Sequence, residues 1–253
     1  TIAIIPARMG SSRFPGKPLA PINGVPMIGH VFKRVEMSET LDFVYVATCD
    51  QEIFDYIESI GGNAVMTSDS HERCTDRTAE AIEILESRLN VNFEIVLMVQ
   101  GDEPMVTPTM IQSSLEAMFK DEAVNVVNLV AKIDSKDEFS DPNEVKVVKD
   151  LQNNALYFSR EPIPSMKKFN SETDWFKQVC IIPFKRDYLF KFNGLIPTPL
   201  EEVESVDMMR ILEHGESVKC VEIKEKIYSV DTKEDLERVQ ILMSDDSLIE
   251  NYK

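Results

Sequence analysis

Basic residues are scarce in this chain. Its 253 residues include 27 Lys and Arg against 44 Asp and Glu, a net charge of -17. Nucleic-acid backbones demand a basic face, so a general nucleic-acid binder is excluded. No run of 18 apolar residues is present, so no membrane-spanning helix and no membrane partner are expected. The four cysteines, Cys49, Cys74, Cys180 and Cys220, are widely spaced without metal-ligand pairing. They suit reduced thiols of the cytosol. The first strand starts at the second residue, leaving no room for a signal peptide after a lost Met, tag or short leader, and a cytoplasmic location is expected. There are only three histidines, and no Ser-His-Asp or Cys-His arrangement stands out. Neither GxGxxG nor a Walker A sequence occurs, so the common dinucleotide and P-loop readings fail on spacing.

What the chain does have is an ordinary globular composition, 43% hydrophobic and 28% charged, long enough for a sizeable core. TIAIIP (1–6) and FVYVAT (43–48) are short apolar runs typical of buried parallel strands, as are Ala64–Thr67 and EIVLMVQ (94–100). Between them, 26–37 and 51–60 carry helical spacing, the latter stopped by Gly61-Gly62. A strong helix is expected over 76–89, capped by Thr75 or Asp76. Alternating strands and helices of this length predict an α/β fold, a mostly parallel Rossmann-like sheet flanked by helices. The second half is less regular. Strands are expected near 124–133, 145–149, 155–159, 179–184, 218–223 and 227–230, and helices over 200–214 and 233–243. Polar 165–175 reads as an exposed loop or arm. Residues 1–253 are taken as one domain.

Ligands of parallel sheets bind beyond the carboxyl ends of the strands, and two conspicuous segments follow strands directly. PARMGSSRFPGKPL (6–19) combines Gly10 and Gly16, the hydroxyls of Ser11 and Ser12, and the cations Arg8, Arg13 and Lys17. A triphosphate needs close amide donors and positive charge, which this loop supplies; the bland alternative is a solvated basic loop. VQGDEP (99–104) places Asp102 at a strand end, where Mg²⁺ with its oxygen ligands could be held; the alternative is a solvated turn acid, with Glu103 capping the turn. In YSVDTKEDL (228–236), Asp231 is either a second metal carboxylate or, like Thr232, the N-cap of the last helix.

These blocks, together with GVPMIGHV, DPNEVKVVKD, ALYFSREPIP, PTPLE and SVDTKEDLERV, occur in order over nearly the whole chain and closely resemble the CMP-Kdo synthetases, the 3-deoxy-manno-octulosonate cytidylyltransferases. The resemblance implies a Mg²⁺-dependent homodimer that transfers CMP from CTP to an anionic sugar acid of the Kdo type, releasing pyrophosphate for lipopolysaccharide or capsule synthesis. It implies that Pro6, Ala7, Arg8, Gly10, Ser11, Ser12, Arg13, Lys17, Arg73, Cys74, Thr75 and Gln100 face the nucleotide. Lys17, Arg13 and Asp102 would carry catalysis, and Asp102 with Asp231 would bind the metal. Gln100, Arg160, Gln178, Ile182, Glu204 and Asp207 would face the acceptor, with residues from about 155 to 195 forming the dimer and acceptor subregion.

Departures from the family pattern are concentrated on two stretches. Arg73 and Cys74 stand where the family has a Ser-Gly pair. Gln178 and Ile182 replace a His and a Tyr expected at the sugar, and Asp207 replaces a frequent Glu. An acceptor pocket with fewer polar partners predicts poor use of Kdo itself. A different acceptor (another ulosonic acid, an amino-sugar acid, a small phosphonate) or a nucleotide-binding module without turnover are the rival readings.

Overall fold

The computed structural model describes residues 1–11, 13–165 and 174–253. The chain divides into two compact units, 1–112 with 227–253, and 113–226.

The first unit opens with β1 (Ile2–Ala7), a 3₁₀ turn (Lys17–Leu19), the short hairpin β2 (Pro21–Ile22) and β3 (Val25–Pro26), and α1 (Met27–Glu36). It continues through β4 (Phe43–Thr48), α2 (Gln51–Ser59), β5 (Ala64–Met66), α3 (Cys74–Leu89) and β6 (Ile95–Val99). Strands β6, β1, β4 and β5 lie side by side in that order, all parallel. Every residue of β1 is buried because strands flank it on both sides and helices cover its faces, which is why its sequence is apolar without alternation. Helix α4 (Pro108–Lys120) then leads into the second unit.

There β7 (Val127–Lys132), α5 (Lys136–Ser140), β8 (Lys146–Lys149), β9 (Ala155–Ser159), β10 (Phe176–Val179) and β11 (Ile181–Lys185) are followed by α6 (Arg186–Asn193), α7 (Pro199–Glu204), α8 (Met208–Glu213) and β12 (Lys219–Ile223). The sheet order is β12-β7-β10-β8-β9, parallel only between β12 and β7. The chain returns to the first unit with α9 (Lys233–Leu242) and a closing 3₁₀ turn (Ser247–Asn251).

Three expectations are corrected. The single helix expected over 200–214 is two, because Ser205 adopts φ 53° and breaks it. The late strand expected at 227–230 is irregular, although the Val230 amide donates to the Asp102 carbonyl at 3.0 Å. Helix α3 begins at Cys74 with Arg73 at the N-cap, so Thr75 lies fully buried in its first turn instead of capping it. No helix among the described residues is long and apolar enough to cross a membrane.

Candidate active site

The site is built at the carboxyl ends of β1 and β6. Beyond Ala7 the chain makes a tight loop around one carbonyl: Met9 O accepts from the Ser11 amide at 2.9 Å and the Gly16 amide at 3.1 Å. Asp50, just past the end of β4, receives the Met9 amide at 2.8 Å and ties the loop to the next strand. Phe14 anchors the far side in a cluster with Ile22, Met27, Val230, Val239, Met243 and Ile249. Gly16 takes φ 76°, a left-handed conformation that glycine adopts without a Cβ penalty, and starts the turn that carries Lys17. The loop is therefore a structured cradle. Ser12, expected to face the nucleotide, lies outside the described residues.

Across from it, Gly101 allows the turn after β6 to press against the end of β1. A Cβ there would meet Pro6 O at 3.0 Å and the Ala7 Cβ at 3.3 Å. Gln100 O accepts from the Glu103 amide at 3.2 Å, closing the turn that holds Asp102, while Glu103 itself is buried.

The two expected carboxylates meet on Lys17. Its ammonium lies 2.9 Å from Asp102 Oδ2 and 3.3 Å from Asp231 Oδ1, and Arg13 approaches the same Asp231 oxygen at 2.9 Å. The Lys17 side chain is only 11% exposed. Burial disfavours its charge, but Asp102 and then Asp231 more than offset that, so its pKa is raised and it is an ammonium at neutral pH. The capping question also resolves. Thr232 caps α9, accepting from the Asp235 amide at 3.2 Å, and Asp235 Oδ2 accepts from the amides of Asp231 and Thr232. The Asp231 carboxylate is thereby left to Lys17 and Arg13.

Arg8 is exposed and donates to His71 O at 3.3 Å, bringing the 71–77 segment to the end of β1. Pro6, Arg8, His71, Arg73, Cys74 and Arg77 line a small cavity there. Arg77 is a buried brace, donating to Thr67 Oγ1 at 2.6 Å and Ser68 O at 3.1 Å, and His71 Nε2 pairs with Glu80 at 2.6 Å.

The expected acceptor residues other than Gln100 lie in the second unit, and most are braced. Arg160 donates to three carbonyls, those of Glu204 (2.8 Å), Pro142 (2.9 Å) and Ser205 (3.4 Å). The Glu204 carboxylate accepts from Tyr157 Oη, Ser159 Oγ and the Arg160 amide. Gln178 Nε2 donates to Asn128 Oδ1 at 2.7 Å, and the buried Asn128 is fixed by the Leu129 and Val179 carbonyls. Ile182 is 2% exposed, a core residue with no face for a ligand. Asp207 begins α8.

Sequence reasoning passed over Asp50, Asn128 and Lys146. Asp50 followed an apolar strand, and that position was a usable signal. Asn128 and the fully buried Lys146 sit inside apolar strand patterns that gave no hint of their roles.

The Asp102 and Asp231 oxygens fit a hard divalent cation, since both reach one point and both are anionic. Among the described residues no third acid, His or Cys joins them, so water and substrate oxygens would complete the shell.

The cytidylyltransferase family profile matches residues 2–227. The chain is 42% identical over 244 residues to the 3-deoxy-manno-octulosonate cytidylyltransferase of Thermodesulfovibrio yellowstonii, covering 94% of this chain and 95% of that one. It is 39% identical to the enzyme of the same name from Fusobacterium nucleatum, covering 94% of each. A solved structure of CMP:2-keto-3-deoxy-manno-octonic acid synthetase complexed with CTP superposes with a TM-score of 0.85 at 37% identity, over 96% of this chain and 98% of that one. A thymidylyltransferase structure from Bacillus anthracis, at 16% identity and TM-score 0.68, shares the fold. This chain belongs to the cytidylyltransferase family and is a CTP-dependent nucleotidyltransferase.

Proposed function

We propose that the chain transfers CMP from CTP to a 2-keto-3-deoxy sugar acid of the Kdo type, releasing pyrophosphate and supplying an activated sugar for surface polysaccharide. The observation that carries this is the meeting of Lys17, Arg13, Asp102 and Asp231 at the carboxyl ends of β1 and β6. In that arrangement the acceptor hydroxyl attacks the α-phosphorus in line, and Lys17 and Arg13 stabilise charge developing on the leaving pyrophosphate. The loop wound around Met9 O positions the cations Arg8, Arg13 and Lys17 for the phosphates. Asp102 and Asp231 would hold Mg²⁺, which when bound would neutralise phosphate oxygens and lower the pKa of a bound hydroxyl. No protein nucleophile is required.

Kdo itself is favoured by the names of the relatives and by the burial of Ile182, which takes the replaced Tyr position out of any pocket wall. Gln178 keeps a different acceptor in play, because an amide oriented by Asn128 presents other hydrogen-bond partners than an imidazole. Pyrophosphate release from CTP and Mg²⁺ with a panel of acid sugars tests both readings. Preference for Kdo supports the first, preference for another acid supports the second, and no release with any acceptor would sink the assignment. The resemblance also supports a cytoplasmic homodimer, which light scattering of the purified protein would check.

A further inference from the structure

We propose that Lys17 is a built-in placeholder of the metal site. Its ammonium pairs with Asp102 and Asp231 where a divalent cation would neutralise them, and binding of the triphosphate would draw it away. The proposal rests on the reading of these two aspartates as metal ligands and adds a role for Lys17 before any substrate is bound.

The geometry carries it. A divalent ion held by Asp102 Oδ2 and Asp231 Oδ1 would have to approach the oxygens on which Lys17 Nζ already sits, at 2.9 and 3.3 Å. Magnesium needs its oxygens at about 2.0–2.1 Å, so ion and ammonium would compete for the same lone pairs and repel each other at close range. Charge balance points the same way. Two carboxylates face two cations, Lys17 and Arg13, so these four charges already sum to zero. A divalent ion arriving alone leaves a positive excess. A triphosphate arriving with it supplies oxygens to which both cations can transfer.

The backbone of Lys17 stays fixed in this exchange. It is held by the turn that Gly16 initiates, by the Ala20 amide on Lys17 O, and by the Lys17 amide on Phe14 O. Only the four-carbon stem has to rotate, which a lysine does readily. Metal and nucleotide binding are then coupled, and the coupling is reciprocal. The enzyme would hold metal poorly until CTP is present.

Mn²⁺ binding followed by electron paramagnetic resonance, without acceptor, tests this on the full chain. Lys17→Met keeps the buried stem and removes the charge, and Lys17→Gln provides the same comparison should the first variant melt early. Without CTP, both should bind Mn²⁺ about tenfold or more tightly than the wild type, within the usual range of coupling between sites. Lys17→Arg, which keeps the cation, should bind as weakly as the wild type. CTP should tighten Mn²⁺ binding more in the wild type than in Lys17→Met. Equal Mn²⁺ affinity in wild type and both neutral variants, with Asp102→Asn abolishing binding throughout, would overturn the placeholder role while leaving the metal ligands in place. Undiminished Mn²⁺ binding by the CTP complex of Asp102→Asn would overturn the metal reading and the placeholder with it.

Discussion

Two buried lysines, Lys17 in the first unit and Lys146 in the second, are neutralised differently. In the first, Lys17 and Arg13 face the carboxylates of Asp102 and Asp231. In the second, Lys146 is fully buried and donates to the carbonyls of Asp141, Glu144 and Arg160, while Arg160 donates to those of Pro142, Glu204 and Ser205. The consequences appear in their protonation. Lys17 has its pKa raised, because its two aspartates outweigh burial, whereas burial dominates at Lys146 and its pKa is lowered. A cation held by mobile side-chain charges can be traded to an incoming phosphate. A cation held by fixed carbonyl dipoles shapes the backbone. Lys17 stands where partners would be exchanged, whereas Lys146 and Arg160 hold loops 141–144 and 204–205 in place.

That contrast can be broken most severely at the carboxylates. Asp102→Asn should lower Mg²⁺-dependent turnover by about a thousandfold or more, since a neutral amide is a weak ligand for a hard cation and charge stabilisation is lost with it. Asp231→Asn should do the same with only a small drop in melting temperature from its lost ion pairs, because Thr232 and Asp235 hold the helix cap without it. Paired measurements of turnover and melting decide the point. A drop in melting temperature with normal turnover would return Asp231 to a structural role.

Lys17→Ala comes next, with turnover down about a hundredfold. Steady-state kinetics showing a saturating, active variant would contradict its place on the triphosphate.

Arg160 sharpens the comparison from the other side. Arg160→Ala removes the donor from three carbonyls, two of them exposed enough for water to replace it, and should cost about 1–2 kcal/mol of stability. Removing the half-exposed Arg13 should cost less than about 1 kcal/mol. Urea unfolding of both variants gives the ranking, and the reverse order would refute the division into exchange site and frame. Three of the five guanidinium N–H groups of Arg160 are engaged by these carbonyls, so a carboxylate could still be received edge-on, and a raised acceptor KM in the same variant would register it.

The smallest effect concerns pH. His30 is buried, with Nε2 2.8 Å from Ile22 O and Nδ1 2.7 Å from Tyr252 Oη, which also accepts from Arg34 Nε at 2.9 Å. The carbonyl can only accept, so Nε2 carries the proton and neutral Nδ1 accepts from the tyrosine. Burial lowers the pKa of His30, with Arg34 adding to the effect. The unfolded chain therefore takes up a proton near the ordinary value of 6.5 before the folded one does. Stability is fully present above that pH and falls as pH drops toward the folded pKa. Melting curves between pH 8 and 5 should show a decline that His30→Gln reduces, and identical slopes would show that His30 does not titrate out of step with the unfolded chain.

Legibility in the sequence followed locality. The strands β1, β4 and β6, the loop after β1 and Asp102 were visible because an apolar run and the polar segment after it are adjacent in the chain. Position at a strand end carried Asp231 as well, but its freedom from capping depended on whether Thr232 and Asp235 would bond each other. Lys17 on its two aspartates joins residues 85 and 214 apart, a pairing no window can reveal. The same holds for the C-terminal clasp, where Tyr252 meets His30 across 222 residues. In the second unit the types of residue were legible and their engagements were not. Arg160 looked like a guanidinium waiting for an anion, and the structure gives it three carbonyls. The helix break at Ser205 was missed because a polar residue in an otherwise helical pattern does not announce a left-handed backbone.

CTP-dependent transfer through Asp102 and Lys17 is the central proposal for this site. Its most direct test is pyrophosphate release from CTP, Mg²⁺ and Kdo by the wild type, Lys17→Ala and Asp102→Asn side by side. Release by the wild type is expected, about a hundredfold less with Lys17→Ala and a loss of about a thousandfold or more with Asp102→Asn, all three proteins remaining folded. Equal release by folded Asp102→Asn and wild type would contradict it.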